Sequence, residues 1–240
     1  MIVFYTRNIS DASAVLEAEE ARHATQVLRR KAGDSIRFTD GEGGWYEGTI
    51  GAISKNHCEV LIAKREITPY RRPYTLHLAV APTKNIERFE WFLEKATEIG
   101  VDRITPLWCR HSERGNIRPE RLQKVLIAAM KQSLQPFLPV LSPAAGLEQL
   151  LRHEQDSACG RFIACMGNGG GHLFQTCVPG QDTLVLIGPE GDFSGDEIAL
   201  CLAQGFLPVT LGENRLRTET AAIAAAHCVA LRNDLSHHNG

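Results

Sequence analysis

The stretch LVLIGPEGDFSGDEI, residues 184–198, decides the fold. Thr183–Ile187 is a short and almost wholly apolar run, as expected of a strand buried on both faces of a sheet. Gly188-Pro189 ends it in a tight turn with a second glycine at 191, and glycines let backbone approach a ligand closely. Glu190 is an unlikely residue to bury without a partner, so it is expected to face a site or an arginine. Ser194 and Glu197 have the spacing of a capping box and open a helix over Ile198–Gln204. Strand, turn and capped helix form the repeating unit of an α/β sheet, in which ligands bind beyond the carboxyl ends of the strands. An ordinary connection between strand and helix explains the same turn equally well.

Towards the C-terminus, VTLGENRLRTETAAIAA (209–225) repeats the arrangement. Val209–Leu211 reads as a strand, Gly212–Arg217 as an irregular polar loop, and Thr218–Leu231 as an alanine-rich helix with Thr218 as its cap. Arg217, just outside the helix, could face an electron-rich oxygen; capping plus a surface salt bridge is the competing account. Upstream, Arg161–Met166 is a further strand. It runs into Met166-Gly167-Asn168, which lines a ligand slot or is a plain loop, and the glycine cluster 167–171 reads as a loop.

Tyr74–Val80 and Arg103–Leu107 are strand candidates. Glu87–Ile99 is a helix with Phe89, Phe92, Leu93, Ala96 and Ile99 on one face and Gly100 as its stop. Pro119 opens another helix. Residues 74–240 therefore read as an α/β domain with a mainly parallel sheet. Residues 1–70 differ, with short segments at Ser35–Thr39, Trp45–Ile50 and Glu59–Ala63 punctuated by Gly33-Asp34 and Asp40-Gly41, a pattern that suits a small barrel. Thr68-Pro69-Tyr70-Arg71-Arg72-Pro73 reads as the linker.

Composition narrows the function classes. The chain has 240 residues, 43% of them hydrophobic and 22% charged, which supports a packed core and argues against disorder. No run of about 18 apolar residues indicates a transmembrane helix. The first residues turn acidic where a signal peptide needs an apolar run, so a cytoplasmic location is expected. Seven scattered cysteines without CxxC spacing fit reduced thiols, and no metal site is expected. The net charge of -2 counts against a globally basic nucleic-acid binder. A local patch of Arg22, Arg29, Arg30 and Lys31 could still grip phosphates, although a solvated turn accounts for it too. No dinucleotide fingerprint follows the first strand of the sheet, and GxxxxGK[ST] and GxSxG are absent, which speaks against nicotinamide, ATP and serine-hydrolase chemistry.

The paired segments 184–198 and 209–225 strongly resemble the RsmE family of SPOUT methyltransferases, which methylate N3 of a uridine in 16S ribosomal RNA. The resemblance extends to ERFEWFLEKATEIGVDRITPL (87–107), SERG (112–115) and KQSL (131–134), and to RHATQVLRRKAGDSIRFTDGEGGWYEGTI (22–50), which looks like that family's PUA-like barrel. It implies an α/β fold with a trefoil knot at the C-terminus, a homodimer, and S-adenosylmethionine as cofactor. The implied cofactor contacts are Gly188, Glu190, Gly191, Leu211, Gly212, Leu216, Arg217 and Thr218, with Met166 and Leu186 as further candidates. Arg217, Glu190 and Glu219 are the candidate catalytic residues. Arg22, His23, Arg29, Arg30, Lys31 and Arg114 are the candidate contacts to 16S ribosomal RNA or the small subunit. Two departures stand out: Asp192 occupies a usual glycine position, and Gln135-Pro136 follows the QS motif where a basic residue is common. Methylation at another RNA position, such as a ribose 2′-oxygen, and a non-catalytic RNA-binding assembly role are the rival functions.

Overall fold

A computed structural model describes residues 2–54, 56–68, 72–113, 115–154, 159–166 and 170–237. The chain divides into two compact units, residues 1–71 with 127–138, and 72–126 with 139–240.

In the first unit β1 (Val3–Tyr5) and β2 (Ser13–Glu17) precede a short helix α1 (Ala18–Arg22) and a π-helical turn over His23–Val27. Three longer strands follow, β3 (Ser35–Thr39), β4 (Gly44–Ile53) and β5 (His57–Ile67). The ladder runs β1-β3-β4-β5-β2, parallel only between β1 and β3. Bulges in the β4–β5 pairing at Glu47/Gly48 and Ile50/Ile53 curl the sheet. It curls over a core that includes Phe4, Leu16, Ile36, Phe38, Tyr46, Ile50 and Val60. This curled sheet is what the barrel-like pattern of the first 70 residues becomes. The strands run longer than their apolar segments, because main-chain pairing continues past the buried positions. Residues 127–138 belong to this unit through backbone bonds. The Pro136 carbonyl accepts from the Gly43 N–H at 2.9 Å, and Leu138 N–H donates to the Gly41 carbonyl at 2.8 Å. Only the carbonyl of Pro136 is used, so proline costs nothing there.

The second unit runs β6 (Leu76–Val80), α2 (Ile86–Ile99), β7 (Arg103–Trp108), α3 (Pro119–Gln132, whose last residues lie in the first unit), β8 (Val140–Leu141), β9 (Ala145–Gly146) and α4 (Leu147–His153). It continues with β10 (Gly160–Ala164), β11 (Gly171–His172), α5 (Leu173–Thr176), β12 (Thr183–Ile187), α6 (Gly195–Ala203), β13 (Leu207–Thr210) and α7 (Thr218–His237). The sheet order is β11-β13-β10-β12-β6-β7-β8, with β9 beside β7, and every pairing is parallel. β12 lies between β10 and β6 and is buried throughout, which its apolar run demands.

Local chemistry sets the helix ends. Asn85 accepts from Glu87 N–H to start α2, Gly100 closes it in the left-handed conformation, and both halves of the Ser194/Glu197 capping box form at α6. Buried alanines at 222, 225, 226 and 230 bring α7 close to α2, β6 and β12. Near the amino ends of the strands, His77 hydrogen-bonds Thr105 at 2.8 Å and stitches β6 to β7. Burial, then Arg103, push its pKa down to about 3. Glu154, 3.8 Å from its ring, favours the cation, but Arg103 shares that carboxylate at 3.6 Å, so the ring stays neutral. All seven cysteines are free thiols, and burial raises Cys201 to about 12.

Candidate active site

Three adjacent strands, β13, β10 and β12, end at the same edge, and the turns after β12 and β13, with Cys165 and Met166 after β10, line a cavity of about 320 Å³. Ile187, Val209, Leu211, Leu216 and Met166 give it apolar walls, and Gly188, Glu190, Asp192, Gly212, Arg215, Arg217 and Thr218 also line it.

The β12–α6 turn is built from its own bonds. Asp192 N–H donates to the Pro189 carbonyl at 2.9 Å, and the Asp192 carboxylate accepts from Phe193 N–H at 2.8 Å. Asp192 sits at φ +62°, a left-handed conformation that favours glycine and that aspartate tolerates better than most residues. The departure at this position is thus absorbed by the backbone, and it adds a carboxylate to the lining. Gly191 packs against His111, where a Cβ would lie 3.0 Å from the histidine Cβ. One Glu190 oxygen accepts from the Lys84 N–H at 3.0 Å, while the other is buried without a hydrogen-bond partner among the described residues. Lys84 pairs with Glu113 at 2.7 Å, and that hydrogen bond raises the lysine pKa.

The β13–α7 turn closes the other side. Gly212 adopts φ +135°, strained for any other residue, and the Thr210 hydroxyl both accepts from its N–H and donates to its carbonyl. Two contacts tie the turns together. The buried Thr218 hydroxyl donates to the Gly188 carbonyl at 3.0 Å, and Arg215 donates to the Glu190 carbonyl at 3.1 Å. Thr218 is therefore a cross-loop tie at the start of α7 and not the cap expected from its position. Arg217 is exposed at the mouth without a side-chain partner among the described residues. Neither candidate carboxylate orients it: Glu190 holds Lys84 N–H, and Glu219, 7% exposed, lies 3.9 Å from Arg88 Nε with its second oxygen unpartnered.

Eight of the ten residues proposed for cofactor contact line this one cavity: Met166, Gly188, Glu190, Leu211, Gly212, Leu216, Arg217 and Thr218. Leu186 and Gly191 do not. Strand alternation turns Leu186 into the core with Leu184, Phe193 and Cys201, while Ile187 takes the lining position. Gly191 faces His111. Gly167 and Asn168 lie outside the described residues, as does Arg114. The sequence carries no signal for Arg215, which stands in a polar loop among unlike neighbours. In the first unit Arg22, Arg29 and Lys31 are exposed and Arg30 half-buried, none with an acidic partner among the described residues. His23 packs its ring on Phe4 at 5.8 Å. The π-helical turn and Arg29 at φ +54° shape this segment.

Comparison with known proteins agrees with this geometry. A family model described as an RNA methyltransferase domain matches residues 70–230, and one described as an RNA methyltransferase PUA domain matches residues 16–63. The chain therefore belongs to the RNA methyltransferases that join these two domains, and within them to the ribosomal RNA small subunit methyltransferase E family. The relative of that name from Rickettsia conorii is 30% identical, over 85% of this chain and 84% of its own. The crystal structure of a "probable rRNA-methyltransferase" from Porphyromonas gingivalis is 38% identical with a TM-score of 0.89, covering 98% of this chain and all of that one. A ribosomal RNA small subunit methyltransferase E from Neisseria gonorrhoeae bound to S-adenosyl methionine is 29% identical with a TM-score of 0.81, covering 95% of both chains. No helix among the described residues is long and apolar enough to cross a membrane.

Proposed function

We propose that this protein transfers the methyl group of S-adenosylmethionine to N3 of a uridine in 16S ribosomal RNA. The observation that carries the reading is the convergence of the 188–192 and 212–218 turns on one cavity, tied by Thr218 and Arg215. The cavity suits the cofactor chemically. Apolar walls at Ile187, Val209, Leu211 and Leu216 accept an adenine ring, and the turns at Gly188 and Gly212 bring backbone to the lining. The unpartnered Glu190 oxygen can take a hydroxyl or ammonium hydrogen. Met166, Arg217 and Thr218 complete the contacts, with Leu186 and Gly191 supporting the lining from behind. S-adenosylmethionine supplies a methyl group made electrophilic by its sulfonium.

The chain's own residues position and stabilise. Uridine N3 must lose its proton, and negative charge spreads onto the uracil oxygens. Arg217, unpaired at the cavity mouth, stabilises that charge. Glu190 and Glu219 add the negative field that favours a cation in the cavity. The first 70 residues serve as the RNA-binding module, with Arg22, His23, Arg29, Arg30 and Lys31 on phosphates. Residues 74–240 form the catalytic domain. Arg114 belongs to the same proposed grip. The reading includes a knotted C-terminal path, a homodimer in which the partner completes each site, and work in the cytoplasm on the RNA or the small subunit. Nucleoside analysis of small-subunit ribosomal RNA from cells with and without the gene tests it. 3-Methyluridine should vanish on deletion and return with the intact gene; an unchanged level refutes the reading.

A further inference from the structure

Beside the cofactor cavity, and sharing Arg217 with it, a shallow recess of about 570 Å³ opens between the first turns of α2 and α7. Trp91 lines it and is 46% exposed, whereas Phe89 and Phe92 on the same helix are fully buried. Its indole is thus not spent on the core. Arg88, one helical turn earlier on the same side, and Arg217 add two cations. The buried Glu219 carboxylate also lines the recess, with one oxygen 3.9 Å from Arg88 Nε and the other without a hydrogen-bond partner among the described residues. A buried carboxylate oxygen left unpaired is costly, and a donor brought by a ligand relieves that cost.

We propose that this recess captures an unstacked uracil of single-stranded RNA and selects it over cytosine, an inference that rests on the function proposed above. The exposed indole is a stacking platform of the kind that single-stranded RNA uses. The uracil edge presents acceptor, donor, acceptor in O2, N3–H and O4. The recess presents the complement: donors on Arg88 and Arg217 and an acceptor on Glu219. Cytosine carries an amino donor in place of O4 and an unprotonated N3, so it sets a donor against an arginine and an acceptor against the carboxylate. Methyl transfer needs N3 turned to the cofactor cavity, so the recess is the capture pose. Arg217, which lines both spaces, serves capture and transfer alike.

The test titrates the full-length protein with a short single-stranded RNA holding one uridine, and with a twin holding cytidine in its place. The wild type should bind the uridine RNA at least tenfold more tightly. Trp91→Leu should weaken it by about tenfold or more and Trp91→Phe by much less. Glu219→Gln should erase the preference between the two RNAs. Cofactor affinity by calorimetry, unchanged in the two Trp91 variants, and a far-ultraviolet circular dichroism spectrum unchanged in Glu219→Gln report an intact fold. Equal or absent binding of the two RNAs by the wild type, or variants that bind as the wild type does, overturns the proposal. So does a loss of binding by Trp91→Leu that comes with a halved sedimentation mass, because the recess is then a subunit contact. Each of these failures leaves 3-methyluridine formation by the wild type intact, whereas under failure of the functional reading the wild type itself forms none.

Discussion

The two turns that enclose the cavity are built in opposite ways. The β12–α6 turn is tied on every side: Asp192 to Pro189 and Phe193, Glu190 to Lys84, Gly191 against His111. The β13–α7 turn is exposed from Glu213 to Arg215, and among the described residues its side chains hydrogen-bond the opposite turn through Arg215 and Thr218. One side is a preformed template and the other a clasp laid over it. A rigid side holds a ligand in register without ordering cost, while a side with few ties can open for exchange. The unpaired catalytic candidate, Arg217, sits on the clasp.

The largest expected effect breaks the clasp's chemistry without touching the template. Arg217→Ala should lower kcat by about 100-fold, equivalent to ~3 kcal/mol, with cofactor affinity changed little. An unchanged rate removes Arg217 from the reaction. Next is Thr218→Val, which keeps the shape and leaves the buried Gly188 carbonyl without its donor. A loss of ~1–3 kcal/mol is expected. It should be read as a lower unfolding midpoint and a weaker cofactor Kd, with Thr218→Ser restoring both. Arg215→Ala removes an exposed bond worth ~0.5–1.5 kcal/mol. It should raise KM for the cofactor a few-fold and leave kcat alone; an equal fall in kcat would place Arg215 in the transition state and end its assignment as a tie. The smallest effect belongs to the template. Asp192→Gly relieves the left-handed conformation but loses the bond to Phe193, so stability should move by less than ~1 kcal/mol. A large loss in calorimetry would show that the carboxylate, and not the backbone shape, holds that turn.

Much of the fold was legible locally. Thr183–Ile187 and the Ser194/Glu197 capping box fall where apolar runs and capping chemistry place them, and α7 starts at Thr218 as read, although the Thr218 side chain does not cap it. α7 runs on past Leu231 to His237 because no breaker stands there. The very short β8, β9 and β11 left no pattern, since two residues carry no period. The π-helical turn at 23–27 was equally silent: its extra residue per turn comes from packing and not from composition.

The sequence by itself determined the alternation of strands and helices, the parallel sheet and the two turns that carry the site. Those depend on periodicity, caps and glycines acting over a few residues. Tertiary structure alone decided that Leu186 faces the core while Ile187 faces the cavity, and that the Thr218 hydroxyl crosses to a carbonyl 30 residues away instead of capping its own helix. It also decided that Glu190 binds Lys84 and not Arg217, and that Trp91 and Glu219 share a recess. A side chain's partner is chosen by whatever the sheet order brings beside it, and that order is a property of the whole chain.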